Sequence, residues 1–137
     1  MNYLQNAKFV NVLDPVSAAA SAITMDNEID TKGFDYCTVV FQLGSANGAV
    51  TELHLEQSDA GGGSGFSEVG VEGFDFSSGI ESDVTNAALP GASDDDNLFV
   101  FEVDTRGLKR YLRLEYTSGG SANLSACVAI LSRASET

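Results

Sequence analysis

The 137-residue sequence contains no tryptophan, two cysteines, two prolines and one histidine. Two cysteines are too few for a disulfide framework and they form no CxxC pair, so we expect Cys37 and Cys127 to be buried free thiols. A single histidine and two scattered cysteines predict no zinc site. No apolar run approaches the roughly 18 residues that a membrane span needs, so we expect no association with a membrane.

Basic residues are also scarce, with 7 Lys/Arg against 20 Asp/Glu and a formal net charge of −13. A field of that sign repels phosphate backbones, which disfavours nucleic-acid binding. Two of the bases, Lys8 and Lys32, lie in residues 1–105 and the other five lie in residues 106–137. These later bases either form a basic patch on an acidic body or pair with the abundant acids within the fold.

The candidates for chemistry are few. His54 lies between Glu52 and Glu56 in an alternating segment, where we expect a solvated side chain, and no GxSxG motif accompanies it. Residues 94–96 with Asn97 could offer oxygens to a structural cation, but they lack the EF-hand spacing, so a hydrated loop is favoured. The sequence therefore predicts no catalytic residue, no cofactor and no enzymatic activity.

Short apolar runs of period two recur along the chain, which indicates strands rather than helices. The clearest alternating sets are Cys37, Val39, Phe41 and Leu43; Phe99, Phe101 and Val103; and Leu112, Leu114 and Tyr116. Residues 126–131 are apolar on both faces, as expected of a strand buried between two layers. The first twenty residues show little periodicity, and we interpret them as an extended arm.

Two turn-rich segments resemble each other. Residues 28–34 (EIDTKGF) match residues 102–108 (EVDTRGL), and the GSAN at 44–47 recurs at 120–123. In the first pair, the Asp side chain can accept a hydrogen bond from the backbone two residues on, and Gly can take the left-handed conformation. Two related three-strand units are expected to fold over each other. We therefore predict an all-β fold: a single-domain, antiparallel, jelly-roll-like β-sandwich over residues 21–137, with the extended N-terminal arm at 1–20.

Residues 28–36, 53–59, 99–111 and 129–134 resemble segments of small virion proteins of tailed phages and prophages. The resemblance implies a decoration, or cement, protein: a β-sandwich trimer on the outer capsid surface, with the major capsid protein as partner. No catalytic residue carries over from such a family. No export signal is credible, because Asp14-Pro15 interrupts the apolar stretch before residues 17–22, so synthesis in the host cytoplasm is expected.

Candidate contacts follow from this interpretation. An arm can add a strand to the exposed edge of a neighbour, and a basic patch can meet an acidic shell. The residues expected to contact the capsid or another copy are Lys8, Phe9, Arg106, Lys109, Arg110 and Arg113. The alternatives are a head–tail junction or fibre-associated protein, a carbohydrate-binding module, and a small hydrolase that depends on His54.

Overall fold

The computed structural model describes residues 6–18, 23–24, 27–45, 47–69, 74–76, 96–119 and 122–134, which form ten strands. The strands are β1 Ala7–Ala18, β2 Ile23–Thr24, β3 Ile29–Asp30, β4 Phe34–Leu43, β5 Val50–Ser58, β6 Ser67–Glu68, β7 Phe74–Phe76, β8 Asn97–Asp104, β9 Tyr111–Ser118 and β10 Asn123–Ala134. Within these ranges, one helical element has defined ends, a 3-10 turn at Thr105–Gly107. Within them, no helix is long and apolar enough to cross a membrane.

The strands form two antiparallel sheets. The first sheet has the order β1-β10-β4-β8-β7, and the second has the order β2-β9-β5-β6 with β3 also paired to β9. The sheets pack together through one hydrophobic core, in which the rings of Phe41 and Tyr116 lie 4.9 Å apart between centroids. The predicted all-β fold with packed antiparallel sheets is confirmed. Jelly-roll connectivity stays a prediction, since the link between β7 and β8 lies outside the described residues.

The alternating residues of the sequence form the core, as predicted. In β4, Cys37, Val39, Phe41 and Leu43 are at most 1% exposed. Burying a side chain of this size contributes about 1.5–3 kcal/mol, so the four together outweigh any single surface interaction. Both cysteines are free and buried, as expected, and burial raises the pKa of the Cys37 thiol to about 12.

The described part of the N-terminal segment lies within the sandwich, where β1 is an edge strand of the first sheet paired with β10. Adjacent residues Val12 and Leu13 are both 2% exposed and belong to the core. The register shifts twice, between Asn11 and Leu13 and between Leu13 and Val16. Because a bulge places neighbouring residues on the same face, the segment shows no period-two pattern in sequence although it is a strand.

The internal sequence similarity corresponds to a pseudo-two-fold arrangement of strands. The first unit runs β3, β4, β5 and the second runs β8, β9, β10, each with an EIDTKGF-like corner before its middle strand. The middle strand β4 pairs with β8 and β10, whereas the middle strand β9 pairs with β3 and β5. Each unit therefore places its middle strand between the outer strands of the other unit, which makes the two sheets interdependent.

The two corners share their side-chain hydrogen bonds. Asp30 accepts from the backbone N–H of Lys32 at 3.1 Å, and Asp104 accepts from that of Arg106 at 3.0 Å. The following threonine of each corner is buried and donates its hydroxyl to a backbone carbonyl of the other unit, Thr31 to that of Arg110 and Thr105 to that of Phe34. The predicted Asx-type turn is therefore confirmed at both positions.

The GSAN turns also meet. The buried Asn123 side chain accepts from the backbone N–H of Asn47 at 2.8 Å and from that of Gly48 at 3.2 Å. Its amide donates to the Gly48 carbonyl at 3.0 Å. One buried asparagine therefore satisfies three backbone groups of the turn between β4 and β5, which couples the equivalent turns of the two units.

Candidate functional site

The outward face of the first sheet has an apolar centre, with Thr38, Gln42 and Glu102 as polar neighbours in the register. We call the outward-pointing residues Phe9 of β1, Leu124, Ala126, Val128 and Ile130 of β10, Val40 of β4, and Leu98 and Val100 of β8 the apolar face. Phe9 is 55% exposed, Leu124 51%, Leu98 39% and Val128 36%. The register places Val128 opposite Val40 and Val40 opposite Val100, so these side chains form a continuous apolar row across three strands.

This face corrects one prediction from the sequence. The apolar run at 126–131 was expected to be buried between two layers, and only one of its faces is covered. Cys127, Ala129 and Leu131 lie in the core, whereas Val128 points outward and is exposed. The alternation of apolar residues on both faces predicts two covering layers, and the described residues provide only one of them at Val128.

Two shallow depressions lie side by side on the apolar face. Pro15, Gln42 and Ala126 contribute to both, the first extending towards Leu124 and the second towards Val128. The depressions are open and mainly apolar, with Gln42 as a polar group between them. Such a surface suits an apolar protein side chain better than a charged or sugar ligand.

The predicted contact residues are not brought together into one patch. Phe9 lies on the apolar face, and Lys8 is exposed on the same edge strand. Four of the five later bases pair with an acid: Arg106 with Asp104, Lys109 with Asp59, Arg110 with Asp30 and Arg113 with Glu56. Of the two interpretations of the basic segment, the structure favours pairing within the fold over a free basic patch.

Two of these ion pairs lower the pKa of their acid. The hydrogen bonds from Arg110 hold the pKa of Asp30 at about 2, and those from Arg106 hold the pKa of Asp104 at about 2. Three of the guanidinium groups also lie over aromatic rings: Arg106 over Tyr36, Arg110 over Tyr111, and Arg113 over Phe66 at 4.3 Å from the centroid. Each of these three arginines therefore contacts both a carboxylate and an aromatic ring of the same chain.

The outer face of the second sheet carries a polar cluster that the sequence did not reveal. His54 lies directly opposite Glu115 in the register of β5 and β9, and Glu56 follows His54 on the same face. The side chains of His54, Glu56 and Glu115 are only 13%, 12% and 15% exposed, so the prediction of a solvated His54 is wrong. The alternation of β5 was visible in the sequence, but the partner strand that contributes Glu115 lies about 60 residues away.

The electrostatics of this cluster are dominated by two close carboxyl groups. Burial raises the pKa of Glu115, and the neighbouring Glu56 raises it further. Burial also acts to raise the pKa of Glu56, but hydrogen bonds from Arg113 and Glu115 lower it overall. The two acids therefore differ in acidity because only Glu56 has a guanidinium partner.

The acidic loop that could hold a structural cation falls on the edge of the described ranges. Asp94 and Asp95 lie outside the described residues, and Asp96 begins the segment with a positive φ of 59°. The expectation of a hydrated loop there stays a prediction.

No protein-family model matches the chain, and no curated protein sequence matches it. Its fold is similar to the crystal structure of the SPBc2 prophage-derived protein YomS, with a TM-score of 0.49 and 12% sequence identity. The likeness covers 91% of this chain and 93% of that chain. At a TM-score below 0.5 it carries no functional conclusion for this chain.

Proposed function

We propose that the chain is a virion structural protein of a tailed phage, and specifically a decoration protein that attaches to the outer surface of the capsid shell. Its partner is the major capsid protein, and its copies assemble as a trimer. It is synthesised in the host cytoplasm, has no enzymatic activity, and binds neither nucleic acid nor membrane. The sequence resemblance described above motivates this proposal, and the surface of the sandwich supports it.

The apolar face is the single observation that carries the proposal. A soluble antiparallel sheet that faces water normally alternates apolar and polar residues, with its polar side outward. Here four large hydrophobic side chains of one sheet are more than a third exposed, and the register makes the apolar row continuous. Large contiguous apolar patches on soluble proteins mark interaction sites. In our proposal a partner protein covers the part of β10 that the described residues leave exposed, and we assign that place to the capsid shell.

Attachment through an apolar face also fits the charge of the chain. Since the bases of residues 106–113 are paired internally, they are not free to bind an acidic shell. The net charge of −13 keeps the unattached protein soluble in spite of its apolar face. Simultaneous attachment of three copies turns weak individual contacts into a tight association.

Co-sedimentation with capsid shells of the phage that encodes the chain tests the proposal. The variant Val128→Glu places a carboxylate at the centre of the apolar face, and we expect at least a tenfold loss of affinity. The control Ser67→Glu adds the same charge to an exposed position on the second sheet and should bind like the wild type. Equal binding of both variants would discard the apolar face as the attachment surface, and absence of binding by the wild type would discard the decoration role.

Charge reversal at Arg110 and Arg113 would be a poorer test of attachment than Val128→Glu. Arg110 forms two 2.8 Å hydrogen bonds with Asp30, and Arg113 bonds to the buried Glu56. Reversal at Arg110 would place two acids together at the surface, and reversal at Arg113 would place an acid beside the buried Glu56. A loss of capsid binding would then report destabilisation of the fold unless the unfolding midpoint were measured alongside.

The apolar face is equally compatible with a place at the head–tail junction. Copy number separates the two roles, since a decoration protein is present in hundreds of copies per virion and a junction protein in about a dozen or fewer. A carbohydrate-binding role is less well supported, because Arg106 lies over the ring of Tyr36 and Arg110 over that of Tyr111, so that neither ring has both faces free to stack on a sugar.

A further inference from the structure

His54, Glu56 and Glu115 converge on one point of the second sheet, on the side of the sandwich away from the apolar face. His54 and Glu115 form a cross-strand pair of β5 and β9, and Glu56 is two residues along β5 on the same face. One nitrogen or oxygen ligand atom from each of the three residues lies within 4.8 Å of the others. The geometry points to a site for a single divalent transition-metal ion, of which zinc is the representative.

The two distances from His54 fit metal ligands better than direct hydrogen bonds, whereas Glu115 and Glu56 are hydrogen-bonded to each other. Nε2 of His54 lies 3.6 Å from a carboxylate oxygen of Glu115 and 3.8 Å from one of Glu56. Both distances exceed the range of an N–H···O hydrogen bond. Ligands of a tetrahedral zinc ion with bonds near 2.0–2.2 Å lie about 3.3–3.6 Å from one another, so at most a few tenths of an ångström of closure would bring His54 to ligand distance from both carboxylates.

The donor set favours zinc or a similar ion over calcium and magnesium. Imidazole nitrogen together with two carboxylates is a ligand combination that zinc, manganese and related ions accept. Calcium requires six to eight oxygen ligands, and magnesium prefers oxygen and water in octahedral geometry. Three protein ligands on a half-covered sheet surface leave a fourth position for water or for a group of a partner.

Arg113 acts as a positioning residue for the site. Its guanidinium bonds Oε2 of Glu56, whereas Oε1 of the same carboxylate faces His54. Fixing one oxygen leaves the other directed at the metal position, as second-shell hydrogen bonds do in established metal sites. Glu52, which accepts a hydrogen bond from Thr117 at 3.1 Å, adds further negative charge beside the cluster. Two ligand carboxylates and Glu52 against one arginine leave a local excess of negative charge that attracts a cation.

Isothermal titration of the untagged, chelator-treated full chain with zinc chloride at pH 7.5 tests the site. We expect one ion per chain, together with a rise in the unfolding temperature on addition of zinc, because a ligand that binds only the folded state stabilises it. His54→Gln and Glu115→Gln should each weaken zinc binding by at least tenfold and remove most of the thermal shift. Glu102→Gln, an equal change of charge at an exposed position of the first sheet, should change neither quantity.

Each other outcome overturns the site. Absence of zinc binding at millimolar concentration would show that His54 is held by the two carboxylates alone. Zinc binding that His54→Gln and Glu115→Gln leave intact would show an adventitious ion only. Circular dichroism of the metal-free variants establishes that they are folded, so that a loss of binding reports the ligands. The site does not rest on the proposed decoration role, since binding of the ion is measured without capsids.

Discussion

At the scale of the residue, the acidic side chains divide into two kinds according to their partners. Asp30 and Asp104 have guanidinium partners and pKa values of about 2, whereas burial and a neighbouring carboxyl raise the pKa of Glu115. The excess of acid in the composition indicated a solvated, repelling surface. An acid that lies beside an arginine stabilises the fold, whereas a buried acid beside another carboxyl opposes folding.

The ion pair of Asp30 gives a prediction with a defined pH dependence. A carboxyl whose pKa is lowered on folding stabilises the protein above its unfolded pKa of about 3.9, and that stability is lost as the pH falls towards 2. Because both partners are about 40% exposed, solvent screening limits the pair to about 0.5–1 kcal/mol. Asp30→Asn keeps an oxygen for the Lys32 N–H and removes only the charge.

Urea unfolding of the wild type and Asp30→Asn checks this expectation. We expect the variant to be about 0.5–1 kcal/mol less stable at pH 7, with the difference shrinking as the pH is lowered through 2. A difference that persists unchanged at pH 2 would mean that the substitution acts through the turn rather than through Arg110.

At the scale of the element, the two similar corners differ in backbone conformation. Gly33 has a φ of +88°, as predicted for the left-handed position, whereas Gly107 ends a 3-10 turn and has no left-handed φ. The prediction is therefore right for the first corner and wrong for the second. In the second corner, the N–H of Leu108 bonds the carbonyl of Thr105 at 3.1 Å, and the 3-10 turn reverses the chain without a positive φ.

This difference predicts unequal effects of the same substitution. A Cβ at either glycine would meet no atom within 4 Å, so only the backbone conformation distinguishes them. Gly33→Ala should lower the free energy of unfolding by about 1–2 kcal/mol, and Gly107→Ala should be nearly neutral or slightly stabilising. Thermal or urea unfolding of the two variants measures this directly. Equal losses would contradict the assignment of strain to Gly33 alone.

At the scale of the whole molecule, the pseudo-two-fold exchange of strands explains why both sheets depend on both halves of the sequence. The same arrangement leaves the first sheet with an apolar outer face and the second with a polar one. The two faces therefore have different partners in our proposals: a protein on the first sheet and a metal ion on the second.

The proposed trimer is tested by light scattering coupled to size-exclusion chromatography. A chain of 14.4 kDa should elute with about three times that mass. If the apolar face contacts the capsid, Val128→Glu should leave the mass unchanged. Dissociation to monomers by this variant, but not by Ser67→Glu, would reassign the apolar face to contacts between copies. A monomeric wild type would contradict the trimer.

The sequence by itself determined the alternating strands, the Asx turns of the two corners and the free cysteines, because each depends on a local pattern: alternation along a strand, an Asp two residues before a backbone N–H, or a thiol in an apolar run. The tertiary structure alone decided three further features, namely the second partner of His54, the pairing of the late arginines and the exposure of Val128. Each of these depends on which distant strand lies alongside or on whether a layer covers the face. Alternation in a sequence shows which residues share one face of a strand. It does not show which strand, layer or partner lies against that face.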